Sequence, residues 1–329
     1  MNGIVYAIAN HSIVELNATS SKVVGTIKLS DTPTNIVFDN VTNELYVATD
    51  YEVQGNATAG LAALSVAKNT FKVVYNETGF GNSIGQLAFN PSANYLYLGI
   101  EFSKVGSQSI FGSQNINLTV FSAASHHVVD NVSFMTFGLY FQMGAMIYNT
   151  FNHYLYCVYK TTGYDGGGGP VYFVIDTTNN YFPVKGVYDF TPNYPESMAY
   201  NPSNGLIYFA PAQFEEVMGI DSHSIPGQNV SVIEGTSVIN SIHVSSSNTS
   251  SLSSIAFDSE NNMLYVGNNT ISSSGGRYQQ NYSLSTIEGS TGKITSVISL
   301  DGSAQSVFVD PANHDIYVAT SSTVYVFSP

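Results

Sequence analysis

Charge is what this sequence has least of. Only 10% of its residues are Asp, Glu, Lys or Arg, against about 25% in ordinary globular proteins. Lys and Arg number 9 and Asp and Glu 23, for a formal net charge of −14. So few cations exclude the basic patch that nucleic-acid binding needs, and they exclude a polybasic membrane contact. There is one cysteine, Cys157, so no internal disulfide can form. Tryptophan is absent. No apolar run reaches the roughly 18–20 residues of a membrane helix, so membrane insertion is not expected. No signal peptide is visible, because Met1 is followed almost at once by a strand-like segment from Ile4 to Ala9.

What is present is a long chain of small polar and aromatic residues. Its 329 residues include 23 Tyr, 19 Phe and 28 Gly. A chain of this size buries about three quarters of its unfolded surface, enough for a core without bridges. The low charge also fits an acidic medium. With carboxylates neutralised, nine Lys and Arg and seven His give at most 16 positive charges, a modest self-repulsion.

One pattern recurs: an apolar strand, a turn rich in Asn, Asp, Pro and Ser, then a short strand carrying tyrosine. Ile36-Val37-Phe38-Asp39 leads to Leu45-Tyr46-Val47-Ala48, and Leu87-Ala88-Phe89-Asn90-Pro91 leads to Leu96-Tyr97-Leu98-Gly99. The same alternation brings Met146–Asn149 to Leu155-Tyr156-Cys157-Val158, and Met198–Pro202 to Ile207-Tyr208-Phe209-Ala210. It ends with Ile255–Asp258 before Leu264-Tyr265-Val266-Gly267, and Val307–Pro311 before Ile316-Tyr317-Val318-Ala319. Successive tyrosines lie 51, 59, 52, 57 and 52 residues apart. A partial seventh copy, Asn2-Gly3-Ile4-Val5-Tyr6, parallels Asn204-Gly205-Leu206-Ile207-Tyr208 and lies 40 residues before Tyr46.

Two further strand-like runs separate the copies, such as Ala62 to Val66 with Phe71 to Tyr75, and Tyr282 to Ile287 with Ile294 to Leu300. Each unit thus reads as four short strands, the blade of a β-propeller, with no sustained helical period. Along Leu45-Tyr46-Val47-Ala48 successive side chains point to opposite faces, and both faces are apolar. Such a strand needs cover on both sides, which neighbouring blades provide. The Asp or Asn of each turn is expected to cap the backbone through its own side chain. The fold class expected is therefore all-β: one propeller domain over residues 1–329, seven blades of mostly four antiparallel strands.

Tyr46-Val47-Ala48-Thr49, Tyr265-Val266-Gly267-Asn268 and Tyr317-Val318-Ala319-Thr320 resemble the tetrapeptide of the YVTN-type propellers. That resemblance implies a seven-bladed propeller of the kind found in archaeal surface-layer proteins. Three copies depart from it: Tyr97-Leu98-Gly99-Ile100, Tyr156-Cys157-Val158-Tyr159 and Tyr208-Phe209-Ala210-Pro211. The lack of tryptophan sets the chain apart from quinone-cofactor propellers.

The first unit lacks the strand before its turn, and the last stops at Phe327-Ser328-Pro329 before a final strand. One arrangement is seven blades, two of them imperfect. The other is six blades, with Val23 to Leu29 completing the last and residues 1–17 left over. A leftover strand would pair with an open edge on a neighbouring copy and build a head-to-tail polymer.

Asn-x-Ser/Thr sequons stand at Asn10, Asn17, Asn40, Asn56, Asn76, Asn117, Asn131, Asn229, Asn248, Asn268 and Asn281. Many fall in expected turns, where N-linked glycans fit. Asp165-Gly166-Gly167-Gly168-Gly169-Pro170 lacks the lysine of a phosphate loop and reads as a blade-edge loop. His126 and His127 are adjacent, so on a strand they would face opposite ways and could not share a metal. Glu215 and Glu216 read as a solvated edge, and Cys157 as a small core residue. No catalytic residue, metal site or cofactor is expected. The leading functional expectation is a non-enzymatic extracellular or cell-surface structural or adhesive protein, a glycosylated surface-layer or filament subunit. The alternatives are a secreted propeller enzyme of lactonase-like or lyase type, and a glycan- or peptide-binding module.

Overall fold

The computed structural model describes residues 3–53, 56–66, 70–77, 82–102, 113–137, 140–162, 170–179, 184–189, 195–211, 214–218, 221–225, 228–245, 250–274 and 277–329. Among them every regular element is a β-strand. The first sheet holds β1 (Ile4–Ala9), β2 (Ser12–Asn17) and β3 (Lys22–Lys28). The second holds β4 (Thr32–Asp39), β5 (Glu44–Val53), β6 (Asn56–Ser65) and β7 (Thr70–Glu77). The third holds β8 (Asn82–Asn90), β9 (Tyr95–Phe102), β10 (Ser113–Ser122) and β11 (His127–Phe137). The fourth holds β12 (Tyr140–Asn149), β13 (Tyr154–Thr162), β14 (Pro170–Asp176) and β15 (Val184–Asp189). These two sheets touch through a bridge between Phe102 and Phe141.

In the fifth sheet, β16 (Pro195–Tyr200) and β17 (Ile207–Pro211) are followed by a separate hairpin of β18 (Phe214–Met218) and β19 (Asp221–Ile225). The sheet then resumes with β20 (Asn229–Glu234) and β21 (Ser237–His243). That inserted hairpin accounts for the long spacing of 57 residues between Tyr208 and Tyr265. The sixth sheet holds β22 (Ser250–Asp258), β23 (Met263–Ser274), β24 (Arg277–Glu288) and β25 (Ile294–Leu300). The seventh holds β26 (Ser306–Val309), β27 (Ile316–Ala319) and β28 (Val324–Phe327). Seven small antiparallel sheets in succession are the construction of a seven-bladed β-propeller. The chain divides into two compact units, Met1–Tyr148 with Tyr159–Tyr164 and Asn149–Val158 with Asp165–Pro329.

The six-blade alternative does not hold. β3 pairs with β2 from Ser12↔Lys28 to Asn17↔Lys22, so it belongs to the first sheet and does not complete the last. Residues 4–17 are not a leftover strand either: β1 and β2 pair along their whole length, and Ile13 and Leu16 of β2 are buried. The reason is local. A tight turn with Ser21 at φ 53 returns the chain directly onto β2. The ends are two three-stranded sheets, the first without a strand before β1 and the seventh without one after β28, among the described residues.

The tyrosine-bearing strands are covered on both faces. In β5, Leu45 and Val47 pack with Ile13 of the first sheet, while Tyr46 and Ala48 pack with Ile84, Leu98 and Phe121 of the third. In β23, Leu264 and Val266 face the fifth sheet and Tyr265 faces the seventh. Tyr46, Tyr97, Tyr156, Tyr208, Tyr265 and Tyr317 are 0–4% exposed. Where the strand order is visible, the tyrosine points to the next sheet in the chain, as the two-residue alternation requires.

The turn before each tyrosine strand is built the same way. Asp39 Oδ1 accepts the amides of Val41 and Thr42, Asn90 Oδ1 those of Ser92 and Ala93, and Asp258 Oδ1 those of Glu260 and Asn261. Asn149, Asn201 and Asp310 accept equivalent amides. Three residues before the tyrosine the backbone turns left-handed, at Asn43, Asn94, His153, Gly205, Asn262 and His314, with φ from 54 to 76. Asn and Gly adopt that region at little cost.

Candidate functional site

A polar side-chain cluster of the first unit surrounds Tyr46. Its hydroxyl lies 3.0 Å from Glu44 Oε2, 3.1 Å from the Ala123 carbonyl oxygen and 3.1 Å from His126 Nε2. His126 Nε2 lies 3.2 Å from Glu44 Oε2. Glu44 and Tyr46 sit at the start of β5. Ala123 and His126 belong to the turn between β10 and β11, where His126 takes φ 57. Burial first, then the hydrogen bond and charge of Glu44, push the Tyr46 phenol well above its usual pKa. The phenol therefore stays protonated and acts as a donor.

An equivalent tie exists in the second unit. The Tyr156 hydroxyl donates to the Gly235 carbonyl at 2.9 Å and accepts from Asn152 Nδ2 at 2.9 Å. Gly235 lies in the turn between β20 and β21, the counterpart of the Ala123 turn. At Tyr46 and Tyr156 the repeat tyrosine thus fastens its sheet to the outer turn of the next. Chemically these hydroxyls are occupied by structural partners.

A second cluster joins two turns of the second unit. His314 Nδ1 lies 3.1 Å from Asp258 Oδ1, and its Nε2 lies 3.0 Å from Glu260 Oε2. Burial alone would raise the Asp258 carboxyl. Hydrogen bonds from Asn261 and from the Glu260 amide, with His314 beside them, outweigh it and hold the pKa below the usual carboxylate range. Asp301 is also held low, first by Thr323 and then by Thr320 and its neighbours. Asp50 is pushed the other way by burial.

These shifts set the response to acid. A lowered carboxyl contributes stability that is complete above its unfolded pKa of about 4 and is lost as pH falls through the folded value. A raised one, as at Asp50, is relieved by acid. Protonating Asp258 and Asp301 therefore costs stability, whereas protonating Asp50 recovers some. The thermal midpoint of Asp258→Asn should fall less than that of the parent between pH 5 and 2. Thermal melts of both proteins across that range would read it. Equal falls would show that Asp258 carries no such linkage.

Among the described residues, no group of three or more His, Cys, Asp or Glu is placed to hold a metal. His126 faces Tyr46, whereas His127 opens β11 and is exposed. Cys157 is buried in β13, and burial pushes its thiol pKa up, so it is a core residue without an activating partner. Residues 165–169 of the glycine-rich stretch lie outside the described residues. Glu215 and Glu216 fall on β18 of the inserted hairpin.

The sequons scatter over the sheets and do not converge. Asn10, Asn40, Asn131, Asn229 and Asn281 are exposed. Asn17 is half-buried and caps Ser20, and Asn117 is half-buried and accepts from Ser133 Oγ at 2.8 Å. Asn268 is buried, only 7% exposed, in β23. Asn56 and Asn76 lie on β6 and β7, and Asn248 lies outside the described residues. The Glu44–His126 pair is invisible in sequence, because 82 residues separate its members.

No known family matches the sequence, and no curated protein does. Solved structures match by shape. A chain in the crystal structure of a mitotic checkpoint complex superposes with a TM-score of 0.65 at 12% identity, covering 99% of this chain and 84% of that one. The dihydro-heme d1 dehydrogenase NirN, solved in complex with DHE, gives a TM-score of 0.59 at 10% identity, covering 99% of this chain and 61% of that one. At such identities the likeness shows the propeller fold alone.

Proposed function

We propose that this chain is a non-enzymatic extracellular structural or adhesive protein, a glycosylated subunit of a surface layer or filament, of the YVTN type seen in archaeal surface proteins. The observation that carries this reading is the placement of the sequons. Five of them, at Asn10, Asn40, Asn131, Asn229 and Asn281, present an exposed asparagine on a surface otherwise poor in charge. Glycans there would supply the hydration that charged side chains supply elsewhere. The polar clusters support it too, since their hydroxyls and carboxylates are engaged in holding sheet to sheet. Copies would assemble head to tail through the terminal sheets, each of which leaves an edge unpaired among the described residues.

Peptide mapping with intact-mass measurement on protein from its native source tests the proposal. Added sugar mass is expected on the peptides carrying those five asparagines and none on the peptide carrying the buried Asn268. Native protein at its unmodified mass, monomeric under the electron microscope, would refute the reading.

A further inference from the structure

Although the sequons do not converge on one site, four of them face one another in two pairs. Across β10 and β11, Asn117 stands opposite Ser133 and Thr119 opposite Asn131. Across β23 and β24, Asn268 stands opposite Ser283 and Thr270 opposite Asn281. In both cases two antiparallel tripeptides are crossed, so that the asparagine of each meets the hydroxyl residue of the other. Directly opposed positions share one face of a sheet, and in both cases that face is turned to the preceding sheet. On β10 it also carries Phe121 and Ala123, which pack with Leu61 and Ala63 of β6. On β23 it carries Leu264 and Val266, which pack with Tyr208 and Val230 of the fifth sheet.

In the third sheet hydrogen bonds close the crossing. Thr119 Oγ1 donates to Asn131 Oδ1, and Ser133 Oγ donates to Asn117 Oδ1, both at 2.8 Å. Each hydroxyl thus belongs to one sequon and holds the asparagine of the other. Only the amide oxygens are engaged, which leaves Nδ2, the atom that takes a sugar, free of these two bonds. An N-linked asparagine keeps its oxygen, so both bonds survive the modification. In the sixth sheet Asn281 Nδ2 donates to Ser272 Oγ at 3.3 Å, and a linked nitrogen keeps one hydrogen for that contact.

The two members of each pair differ in cover. Asn131 and the hydroxyl residue of its own sequon, Ser133, are both exposed, and so is Asn281. Asn117 is half-buried and its own hydroxyl residue, Thr119, is 2% exposed. Asn268 is buried. A glycosyltransferase reads asparagine and hydroxyl together, and a bulky, hydrated sugar cannot sit beneath a neighbouring sheet.

We propose that each crossed pair carries one N-linked glycan, on Asn131 and on Asn281, and that Asn117 and Asn268 stay bare. Attachment forms a bond from Nδ2 to the anomeric carbon of the sugar. It breaks the bond of that carbon to the phosphate of a lipid-linked donor and releases one amide proton. In the third sheet the bare sequon has a second task. Thr119 is a positioning residue, which holds the Asn131 oxygen so that Nδ2 and its sugar point to solvent. The rule of one sugar per pair rests on the chain being glycosylated, whereas the Thr119 tie does not.

Site-by-site glycopeptide mapping of the full chain from its native host tests the rule. Sugar is expected on Asn131 and Asn281 and none on Asn117 and Asn268. Asn131→Gln should remove the mass of one glycan, and Asn117→Gln should remove none. Sugar on Asn117 or Asn268, or a bare Asn131 or Asn281 beside other occupied sequons, would overturn the rule and leave the glycosylated-surface reading standing. Absence of sugar from every sequon would refute that reading and the rule together. The tie is read separately, on unglycosylated chain, by combining Thr119→Val with Asn131→Ala. The double variant should lose about 2 °C less in thermal midpoint than the sum of the two single losses. Additive losses would overturn the tie.

Discussion

Tyr156→Ala is expected to destabilise the protein by about 3–5 kcal/mol, the usual cost of emptying a fully buried aromatic site. Tyr156 has no exposed surface. Its ring lies 6.0 Å from that of Tyr172 and 6.5 Å from that of Tyr154. These neighbours stand on β-strands, whose backbones cannot close in without breaking ladder hydrogen bonds, so the cavity would persist. Tyr156→Phe separates the ring from its hydroxyl. It should cost about 1–2 kcal/mol, because the Gly235 carbonyl loses its donor and the Asn152 amide its acceptor. Urea unfolding of the three proteins measures both terms. A loss below about 1 kcal/mol for the alanine variant would mean that the tyrosine strand is not sandwiched.

The second large effect is expected at Gly267, which follows the Tyr265-Val266 pair in β23. A Cβ there would stand 2.5 Å from Ser253 Oγ and 2.7 Å from Ala304 Cβ. Ala304 is 1% exposed, in the segment leading into the seventh sheet, and has nowhere to withdraw. Gly267→Val should therefore cost about 3 kcal/mol, at the upper end of overpacking penalties. Adding Ala304→Gly should return part of that loss, about 1 kcal/mol, because the two positions compete for one volume. Simple additivity in denaturant melts would show that the sixth and seventh sheets do not meet at this point. The same site explains a variation in the repeat. Gly267 stands where three other copies place Ala48, Ala210 and Ala319, so local space, rather than chemistry, selects the third residue of the tetrapeptide.

Much of this architecture is legible in the chain because it is local. The Asp or Asn turn, the left-handed residue three places before the tyrosine and the apolar strand after it act within a dozen residues. Alternation then puts Leu45 and Val47 on one face and Tyr46 and Ala48 on the other. The reach of the tyrosine hydroxyl was not legible. Tyr46 and Ala123 are 77 residues apart, and only the stacking of one sheet on the next brings the outer turn over the ring. The same holds for His126, which reads as half of a histidine pair and becomes a partner of Glu44 and Tyr46. Sequons carry no burial signal either. Asn268 has the same tripeptide grammar as Asn281, yet it lies in an inner strand and the other in a more exposed one.

The sequence by itself determined the all-β class, the repeat and the double-sided cover that each tyrosine strand demands, since these follow from side-chain alternation and turn chemistry within each copy. Only the tertiary structure decided that β3 closes the first sheet and that Asn268 is shut away. Those depend on which sheet packs against which, and a contact between sheets is set by shape over tens of residues, where periodicity is silent.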